Sequence, residues 1–471
     1  MYLRVLFFCA CLFSSQNYGA AAPIQKALTI GFINPVSLSF KIESVDNFES
    51  VFIIKQIAQS LLDQGPTGKI IPSVAKYWTI SKDMKTYDFH IHRDLQFSDG
   101  SKLTAKDVEY SINTIKNSNI NPLNIYLKRI SSISVTDEYT IRIELSKPWF
   151  GFLYCLSSGL SPIFSAHSHR SKGDFVGSGA YFLANEKLSW FFIANPHYKG
   201  FYRPIEDRFK ILTESGASQP DILIKDLANF PGFSDYKKID IDSLTSYSFM
   251  INPNIEEWQN IDQRLMLSKA ILEAKEIVKT SRLLDSKDVF PKGMLGFDFK
   301  HESFDELLRK SEHVDPSRMK KKVITIASLG PIFNFEKLAI RLKEKYGIMA
   351  RNFTVNPPNY LEKMLANQNI DIFTVGWASI FLHPDASFVP FYILGIKKNI
   401  QLSAVIRKID SAATISDQFK NYRRLSHEAI ANAFIIPHSQ VAAEIFIKPT
   451  VEAPIYRYRY SLQIAEIKRS N

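Results

Sequence analysis

Residues 70–115 read IIPSVAKYWTISKDMKTYDFHIHRDLQFSDGSKLTAKDVEYSINTI, and this stretch decides the fold of the chain. Residues 75–80 favour a short β-strand, and the Ser-Lys-Asp sequence at 81–83 supplies turn chemistry after it. Residues 86–92 then alternate between two faces, with Tyr87, Phe89 and Ile91 on one and Asp88, His90 and His92 on the other. This period of two predicts a strand that is buried on one face only.

The second half of the stretch predicts a turn followed by an amphipathic helix. Asp99-Gly100 is a turn signal, Thr104 is a good N-cap, and Asp107 lies three positions later, close to a capping box. Apolar residues then recur along one helical stripe, at Ala105, Val108, Ile112 and Ile115. The local signals agree on a hairpin, a turn and a helix, and by themselves they indicate a soluble α/β domain without any particular chemistry.

A further signal comes from spaced positions across the whole stretch. They are Pro72, Ala75, Trp78, Ser81, Asp83, Tyr87, Phe89, Arg93, Phe97, Asp99, Gly100, Leu103, Thr104, Ala105, Asp107, Val108 and Ser111. Together they resemble the signature of the family 5 solute-binding proteins, the extracytoplasmic receptors of peptide, dipeptide and nickel ABC importers. So many spaced matches are far more specific than one short motif.

Three later segments extend the resemblance: residues 177–198, 244–271 and 323–392. The last predicts a βαβαβ pattern, in which ligand sites lie at strand ends. Gly177 and Gly179 could also suggest a phosphate-binding loop, but no helix with a lysine follows, so a tight turn between strands is favoured. Outside the signature we predict strands at 29–33, 130–135, 140–145, 190–194, 247–252, 323–327 and 371–377, and helices at 52–62, 334–346, 360–367 and 418–433.

The resemblance implies an α/β architecture of the periplasmic binding protein type, with two α/β lobes around a cleft and an extra α+β subdomain. The large lobe would be discontinuous and include residues 23–42, 161–250 and 441–471. The extra subdomain would occupy residues 43–160 and carry the family signature, and the second lobe would occupy residues 251–440. The lobes of such receptors close over a ligand about a hinge.

The N-terminus predicts export. Met1–Arg4 is a short basic segment, residues 5–13 are apolar but too short to span a bilayer, and small residues at 19–22 suit signal peptidase. We therefore expect a signal peptide at 1–22 and a periplasmic protein. Cys9 and Cys11 raise a lipoprotein alternative, which the residues before them fit poorly.

Composition limits the other functional classes. The 471 residues are 45% hydrophobic and 22% charged, which suggests a soluble protein of two or three domains. The formal net charge of +11 would suit anionic ligands, nucleic acid or lipid headgroups, but the charges are dispersed and no nucleic-acid-binding motif is present. Cys155 alone remains after the signal peptide, so no intramolecular disulfide is expected, and its apolar surroundings predict a buried thiol.

Motifs for catalysis are missing from the sequence. It contains no HExxH, Walker A or GxSxG pattern. His90 with His92, and His167 with His169 if that segment is extended, could hold a metal, but neither pair has a third ligand at a diagnostic spacing. We expect no enzyme activity, no cofactor and no metal, and a monomer that takes a small-molecule or peptide ligand and meets ABC permease subunits.

The predicted ligand site is the segment GWASIFLHPD at residues 376–385. In peptide-binding members of the family this strand ends in Gly-Trp-x-x-Asp-Tyr-x-Asp-Pro, and the first Asp holds the α-ammonium of the peptide. A buried ammonium needs such a carboxylate because it has lost its water. Here an isoleucine, a phenylalanine and a histidine take the positions of the first Asp, the Tyr and the second Asp. The resemblance implies ligand contacts by Trp377, Ser379, Ile380, Phe381 and His383.

The substitution at Ile380 removes the ammonium clamp, so we expect a ligand without a free α-amine at this point. A shift of the loop could instead bring Asp385 into the gap. Trp377 and Phe381 offer ring faces to apolar or sugar-like ligands, or else pack in the lobe core. Two other functions remain open: a non-transport sensor or interaction protein that retains the fold, and an enzyme that uses His383 and Asp385.

Overall fold

The structure is a computed structural model, and it describes residues 27–32, 48–65, 67–118, 121–172, 175–212, 219–225, 233–275, 283–294, 302–328, 335–354, 369–396, 399–454 and 464–470. The strands are β1 (Leu28–Phe32), β2 (Leu62–Gln64), β3 (Ile70–Pro72), β4 (Ala75–Ile80), β5 (Thr86–Ile91), β6 (Ile130–Asp137), β7 (Thr140–Leu145), β8 (Tyr181–Glu186), β9 (Ser189–Ala194), β10 (Arg208–Leu212), β11 (Ile222–Lys225), β12 (Lys237–Ile251), β13 (Leu283–Asp285), β14 (Val323–Ser328), β15 (Met349–Thr354), β16 (Ile372–Ala378), β17 (Ile435–Ile447), β18 (Val451–Glu452) and β19 (Lys468–Arg469). The α-helices are α1 (Phe48–Ile57), α2 (Ala105–Lys116), α3 (Asn124–Leu127), α4 (Phe152–Leu156), α5 (Ala166–Lys172), α6 (Ile261–Lys275), α7 (Glu302–Glu312), α8 (Phe335–Tyr346), α9 (Asp385–Ile393), α10 (Ile400–Asp410) and α11 (Ile415–Ala431).

The signature stretch folds as its local signals predict. Strands β4, β5, β7 and β6 form an antiparallel sheet in that order. Strand β5 buries Tyr87, Phe89 and Ile91, and α2 buries the predicted apolar stripe. The capping residues are also confirmed, because the Thr104 amide donates to Asp107 Oδ2 at 2.9 Å at the start of α2. The hydrophobic period and the capping residues were sufficient to predict these elements because both signals lie within a few residues of one another, although β5 also pairs with the distant β7.

A second, much larger sheet joins the rest of the molecule. Its strand order is β15-β14-β16-β12-β17-β11-β1-β10-β9-β8, and β13 pairs with β17 beside this path. Strand β14 runs parallel to β15 and β16 in one half, and β1 runs parallel to β10 and β11 in the other. The long antiparallel strands β12 and β17 pair with each other from Lys237 opposite Ile447 to Met250 opposite Ile435. These two strands therefore form the link between the two half-sheets.

The predicted helix at 52–62 is wrong at both ends. Helix α1 begins at Phe48 and ends at Ile57, and the chain is already in strand β2 at Leu62. The cause is a contact distant in sequence: the Gly179 amide donates to the Ile57 carbonyl at 3.0 Å, so the last turn of the helix is bonded to another segment. A Cβ added at Gly177 or Gly179 would overlap the Ile57 backbone, so these glycines permit a close approach of chains. Strand β8 follows them, and not the helix that a phosphate-binding loop requires.

Three other expectations remain, one on described residues and two outside them. The histidine pair 167 and 169 lies on α5, so it does not share an extended face. The predicted helix at 360–367 and the signal peptide at 1–22 lie outside the described residues. Strand β14, helix α8 and strands β15 and β16 confirm the remainder of the predicted βαβαβ pattern. Among the described helices, none is both long and apolar enough to cross a bilayer.

The apolar residues of the described chain form several clusters, and two of them meet at α9. We call the cluster built mainly from residues 51–164 the signature cluster, and the one built from residues between 250 and 435 the second cluster. Helix α9 lies between them: Ala386 and Val389 belong to the signature cluster, and Phe388 and Phe391 to the second cluster. Spacings of three on a helix place these pairs on two faces. The segment that follows β16 is thus an interface between two parts of the core.

Candidate functional site

The five predicted site residues lie together where β16 ends. Strand β16 pairs antiparallel with β12, so Trp377 is opposite Ser246 and Gly376 is opposite Tyr247. The strand ends at Ala378, and residues 379–384 form a loop that leads into α9. The structure therefore collects the predicted residues into one strand end and loop, although it gives each a different environment.

Trp377 is half-buried and contacts both the signature cluster and the second cluster. Its indole Nε1 is inaccessible to solvent and has no hydrogen-bond acceptor among the described residues. Leaving a buried donor unsatisfied costs about 1–3 kcal/mol, so this N–H is a donor that a ligand oxygen would satisfy.

Ser379 and Ile380 are held by hydrogen bonds to the protein itself. Ser379 is fully buried, and its hydroxyl lies 2.7 Å from the Ser387 hydroxyl on α9. The Ile380 carbonyl accepts a hydrogen bond from Ser158 Oγ at 2.7 Å. The Ile380 side chain is half-buried against the signature cluster and offers no charge to a ligand.

Phe381 is 2% exposed and packs edge-on against Tyr126 and Trp149, with ring centroids 4.8 Å and 6.2 Å apart. His383 is completely buried, and its Nε2 lies 2.9 Å from Gln418 Oε1. Its Nδ1 accepts from the Asp385 amide at 3.2 Å, so the Nε2–H tautomer is fixed by its neighbours. Burial lowers the pKa of His383 to about 4, and the imidazole is neutral at physiological pH.

The Asp385 carboxylate is not free, because both of its oxygens are bonded to other groups of the protein. Its Oδ2 lies 2.6 Å from Arg129 Nη1, and its Oδ1 accepts from the Tyr422 hydroxyl at 2.8 Å. Burial alone would raise the pKa of Asp385, but the Arg129 guanidinium and further hydrogen bonds outweigh burial and hold it below the ordinary value. In this conformation both oxygens of Asp385 are engaged by groups of the protein itself.

The partners of this segment were missed in the sequence. Arg129 lies just before β6, and its guanidinium carbon is 4.4 Å from the ring centroid of Trp149. The Tyr126 hydroxyl donates to the Ala386 carbonyl at 3.3 Å. One signal indicates that Asp385 has a cationic partner, because a carboxylate inside the apolar sequence around residue 385 requires a cation. Nothing in the sequence identifies that cation as Arg129.

A recess lies beside Trp377 on the joining strands. It is shallow and open to solvent, and it is lined by Tyr247, Ser248, Phe249, Thr374, Val375, Gly376 and His438. The Ser248 hydroxyl is buried and has no hydrogen-bond partner among the described residues. Ser248 is opposite Val375 and Ser246 is opposite Trp377, so Ser248 and Trp377 lie on the same face of the β12–β16 pair. Two unsatisfied donors therefore lie close together on this face.

The metal and enzyme alternatives gain no support from the geometry. No three His, Cys, Asp or Glu residues of the described ranges are grouped to hold a metal ion. His90 stacks on Tyr77 with centroids 4.3 Å apart, and His169 Nδ1 lies 2.8 Å from the Tyr110 hydroxyl. His383 and Asp385 are buried and engaged as described above. Cys155 is buried, which confirms the prediction, and burial raises the pKa of its thiol.

Comparison with known proteins agrees with this architecture. Residues 69–219 match the profile of the bacterial extracellular solute-binding proteins, family 5 Middle. The chain is 25% identical over 226 residues to the periplasmic murein peptide-binding protein MppA of Escherichia coli K12, a match that spans 40% of this chain and 41% of the relative. It is 22% identical over 444 residues to a putative binding protein of Haemophilus influenzae, across 86% of this chain and 82% of that protein.

The fold is also shared with solved structures. The unliganded open form of the murein tripeptide binding protein MppA superposes with a TM-score of 0.70 at 17% identity, over 94% of this chain and 98% of that one. This confirms the predicted α/β fold of the periplasmic binding protein type. The low identities agree with the altered loop at 380–383. On the profile match, the fold and these relatives together, the chain is similar, at low identity, to the family 5 extracellular solute-binding proteins.

Proposed function

We propose that this protein is the extracytoplasmic receptor of an ABC importer of the peptide class, and that it captures a small ligand between two hinged lobes. Family 5 solute-binding proteins are substrate receptors and not enzymes. Relatives are named as periplasmic peptide-binding or peptide-transport proteins. The observation that carries the proposal is the linkage of two half-sheets by β12 and β17 beside the predicted ligand segment.

The lobe boundaries that we propose fall within these joining strands. The boundary at 250 and 251 lies near the end of β12, and the boundary at 440 and 441 lies inside β17. A hinge between two lobes consists of a few residues that absorb large changes in φ and ψ, and we propose that residues of these joining strands do so. The recess lined by β12, β16 and β17 would then lie at the floor of the cleft.

The proposed ligand has no free α-ammonium at the 379–385 loop. Ile380 supplies no charge there, and both oxygens of Asp385 are bonded to Arg129 and Tyr422. The indole N–H of Trp377 and the hydroxyl of Ser248 instead suit carbonyl, hydroxyl or carboxylate oxygens of a ligand. We propose that the five residues predicted from the sequence border this ligand, with Trp377 as the direct donor.

The cellular setting is part of the same proposal. The predicted signal peptide at 1–22 and the periplasmic relatives support a periplasmic location. The partners would be the membrane permease subunits, which would bind the closed receptor, and the receptor would act as a monomer without nucleic acid.

A thermal-shift screen tests this function. The mature chain would be incubated with matched peptide libraries that are free or acetylated at the N-terminus, and with sugars and metal chelates. A ligand that binds only the folded protein stabilises it by about 2.7 kcal/mol at a hundred times its Kd. We expect acetylated peptides or other ligands without an amine to raise Tm. If no member of any library changed Tm, the receptor function would be rejected.

A variant of the loop gives a sharper result. Ile380→Asp restores a carboxylate at the clamp position, so we expect free peptides to stabilise this variant, since a buried ammonium is strongly favoured beside an opposite charge. Ile380→Asn has nearly the same shape without the charge and is the matched control. Equal Tm shifts by free peptides in wild type, I380D and I380N would contradict the proposed role of position 380.

A further inference from the structure

A charged pair fastens the loop after β16 to the part of the chain that carries the signature. Arg129 Nη1 and Asp385 Oδ2 are 2.6 Å apart, although the residues are 256 positions apart in sequence. The Asp385 side chain is 2% exposed and the Arg129 side chain 33% exposed. The carboxylate has therefore exchanged its water for the guanidinium and the Tyr422 hydroxyl, whereas the Arg129 side chain remains partly exposed.

Three neighbouring sets of contacts cross the same seam, and a fourth contact positions Arg129 beside it. The Tyr126 hydroxyl donates to the Ala386 carbonyl, and Ser158 Oγ donates to the Ile380 carbonyl. Phe381 packs edge-on against the rings of Tyr126 and Trp149, which lie parallel to each other with centroids 5.9 Å apart. In addition, the face of Trp149 lies over the guanidinium of Arg129, which favours the cation in that position. Residues 380–386 are thus held to the signature cluster by charge, hydrogen bonds and apolar packing together.

We propose that Arg129 and Asp385 form an internal clasp. The clasp keeps the 379–387 segment shut against the signature cluster when no ligand is present, and it restricts this end of the cleft to neutral or anionic ligands. The restriction follows because a cationic ligand would have to compete with Arg129 for the carboxylate. The clasp itself stands on the geometry, and only the ligand class rests on the proposed receptor function.

An ion pair suits a clasp better than an apolar contact would. A buried ion pair adds little net stability over a well-packed apolar pair, because desolvation offsets the attraction. When the seam opens, however, both charges regain water, so the ion pair itself penalises the open state less than an apolar contact of the same size would. Arg129 already reaches solvent at the edge of the seam. The pair therefore permits closure and reopening of the same contact.

Hydrogen exchange of the ligand-free, full mature protein tests the clasp directly. Arg129→Met removes the charge and retains the apolar stem, which leaves the Asp385 carboxylate without its cation. We expect amide exchange in residues 379–387 to be on the order of a hundredfold faster than in wild type, with exchange in β4, β5 and β7 unchanged. The unchanged sheet shows that the variant is folded. If the amides of residues 379–387 exchanged as slowly in Arg129→Met as in wild type, the proposal would be overturned.

Two further variants separate the clasp from a general effect of charge. Arg142 pairs with Asp88 at 2.7 Å on the sheet of the signature region, but both are more exposed, at 47% and 25%. Arg142→Met should leave exchange in 379–387 at the wild-type rate. In Arg129→Ala, millimolar methylguanidinium should restore slow exchange, and it should not do so in the double variant Arg129→Ala/Asp385→Asn. Absence of rescue in the single variant, or equal rescue in both, would contradict the clasp.

The ligand class is read from a separate experiment, so the two proposals can fail independently. The thermal-shift libraries described above would be applied to Arg129→Ala, in which the carboxylate is released. We expect cationic peptides to stabilise Arg129→Ala and not wild type. If no ligand shifted either protein while Arg129→Met still accelerated exchange, the receptor function would fail and the clasp would stand. If cationic peptides stabilised wild type as strongly as the variant, the ligand restriction would fail.

Discussion

Replacing Gly179 with alanine is expected to lower the free energy of unfolding by about 3 kcal/mol, the upper end of the usual cost of overpacking. The added Cβ would overlap the backbone at the end of α1, at Gln56, Ile57 and Ala58. These backbone atoms cannot move away from the added Cβ as the end of a flexible side chain could. Gly179 also cannot retreat, because its amide donates to the Ile57 carbonyl at 3.0 Å and its carbonyl accepts from Asn195 Nδ2 at 2.8 Å.

Urea unfolding of the mature chain measures this effect as a shift in midpoint at constant slope. Gly347→Ala is the matched control. Gly347 has a φ of +66°, and a Cβ there would meet nothing within 4 Å. Its cost is therefore limited to the left-handed conformation, about 1 kcal/mol. If the urea midpoint of Gly179→Ala equalled or exceeded that of Gly347→Ala, the contact between residue 179 and the end of α1 would tolerate a Cβ.

Acidification from pH 7 towards pH 4 is expected to destabilise the protein by roughly 3 kcal/mol through His383 alone. Burial lowers the pKa of His383 to about 4, whereas an unfolded histidine titrates near 6.5. Between these values the unfolded chain binds one proton more than the folded chain, so stability rises with pH across this window and is level above it. The lowered pKa of Asp385 acts in a separate, more acidic window, where stability falls as the carboxylate is protonated.

The His383 effect is measured by urea unfolding at several pH values from 4.5 to 7.5. His383→Gln retains an amide that can bond Gln418 but does not titrate, so the difference between its stability and that of wild type should change with pH as described. His167 is exposed on α5, and His167→Gln is the matched control variant. Parallel curves for wild type and His383→Gln would mean that His383 is charged or solvated in the folded protein.

Local signals were sufficient for the signature stretch and insufficient for its contacts. The alternation of β5, the cap at Thr104 and the stripe of α2 all lie within a few residues of one another, so the sequence predicts them. The end of α1 depends on Gly179, which lies more than a hundred positions later, and the helix was predicted too far for that reason. The two cases differ in how far apart the contacting residues are in sequence, and not in how strong their contacts are.

The candidate site shows the same division. The position of Trp377 at a strand end follows from the family pattern, and the structure places it there. The burial of Phe381 and His383 does not follow from the pattern, because the rings and the amide that surround them come from Tyr126, Trp149 and Gln418. A contact with ligand remains a prediction for these residues. The cation for Asp385 could be inferred to exist, since an unpaired buried carboxylate is costly, but only the fold identifies Arg129.

The pairing of Met250 with Ile435 has a consequence for the way such a chain can be rearranged. Directly opposed residues on antiparallel strands lie only about 5 Å apart, so everything from 251 to 434 departs from and returns to almost one point. This length of chain is topologically an insertion with touching ends. It could be exchanged as one piece between related receptors, and the exchange would carry Trp377, the loop and Asp385 with it while leaving Arg129 behind.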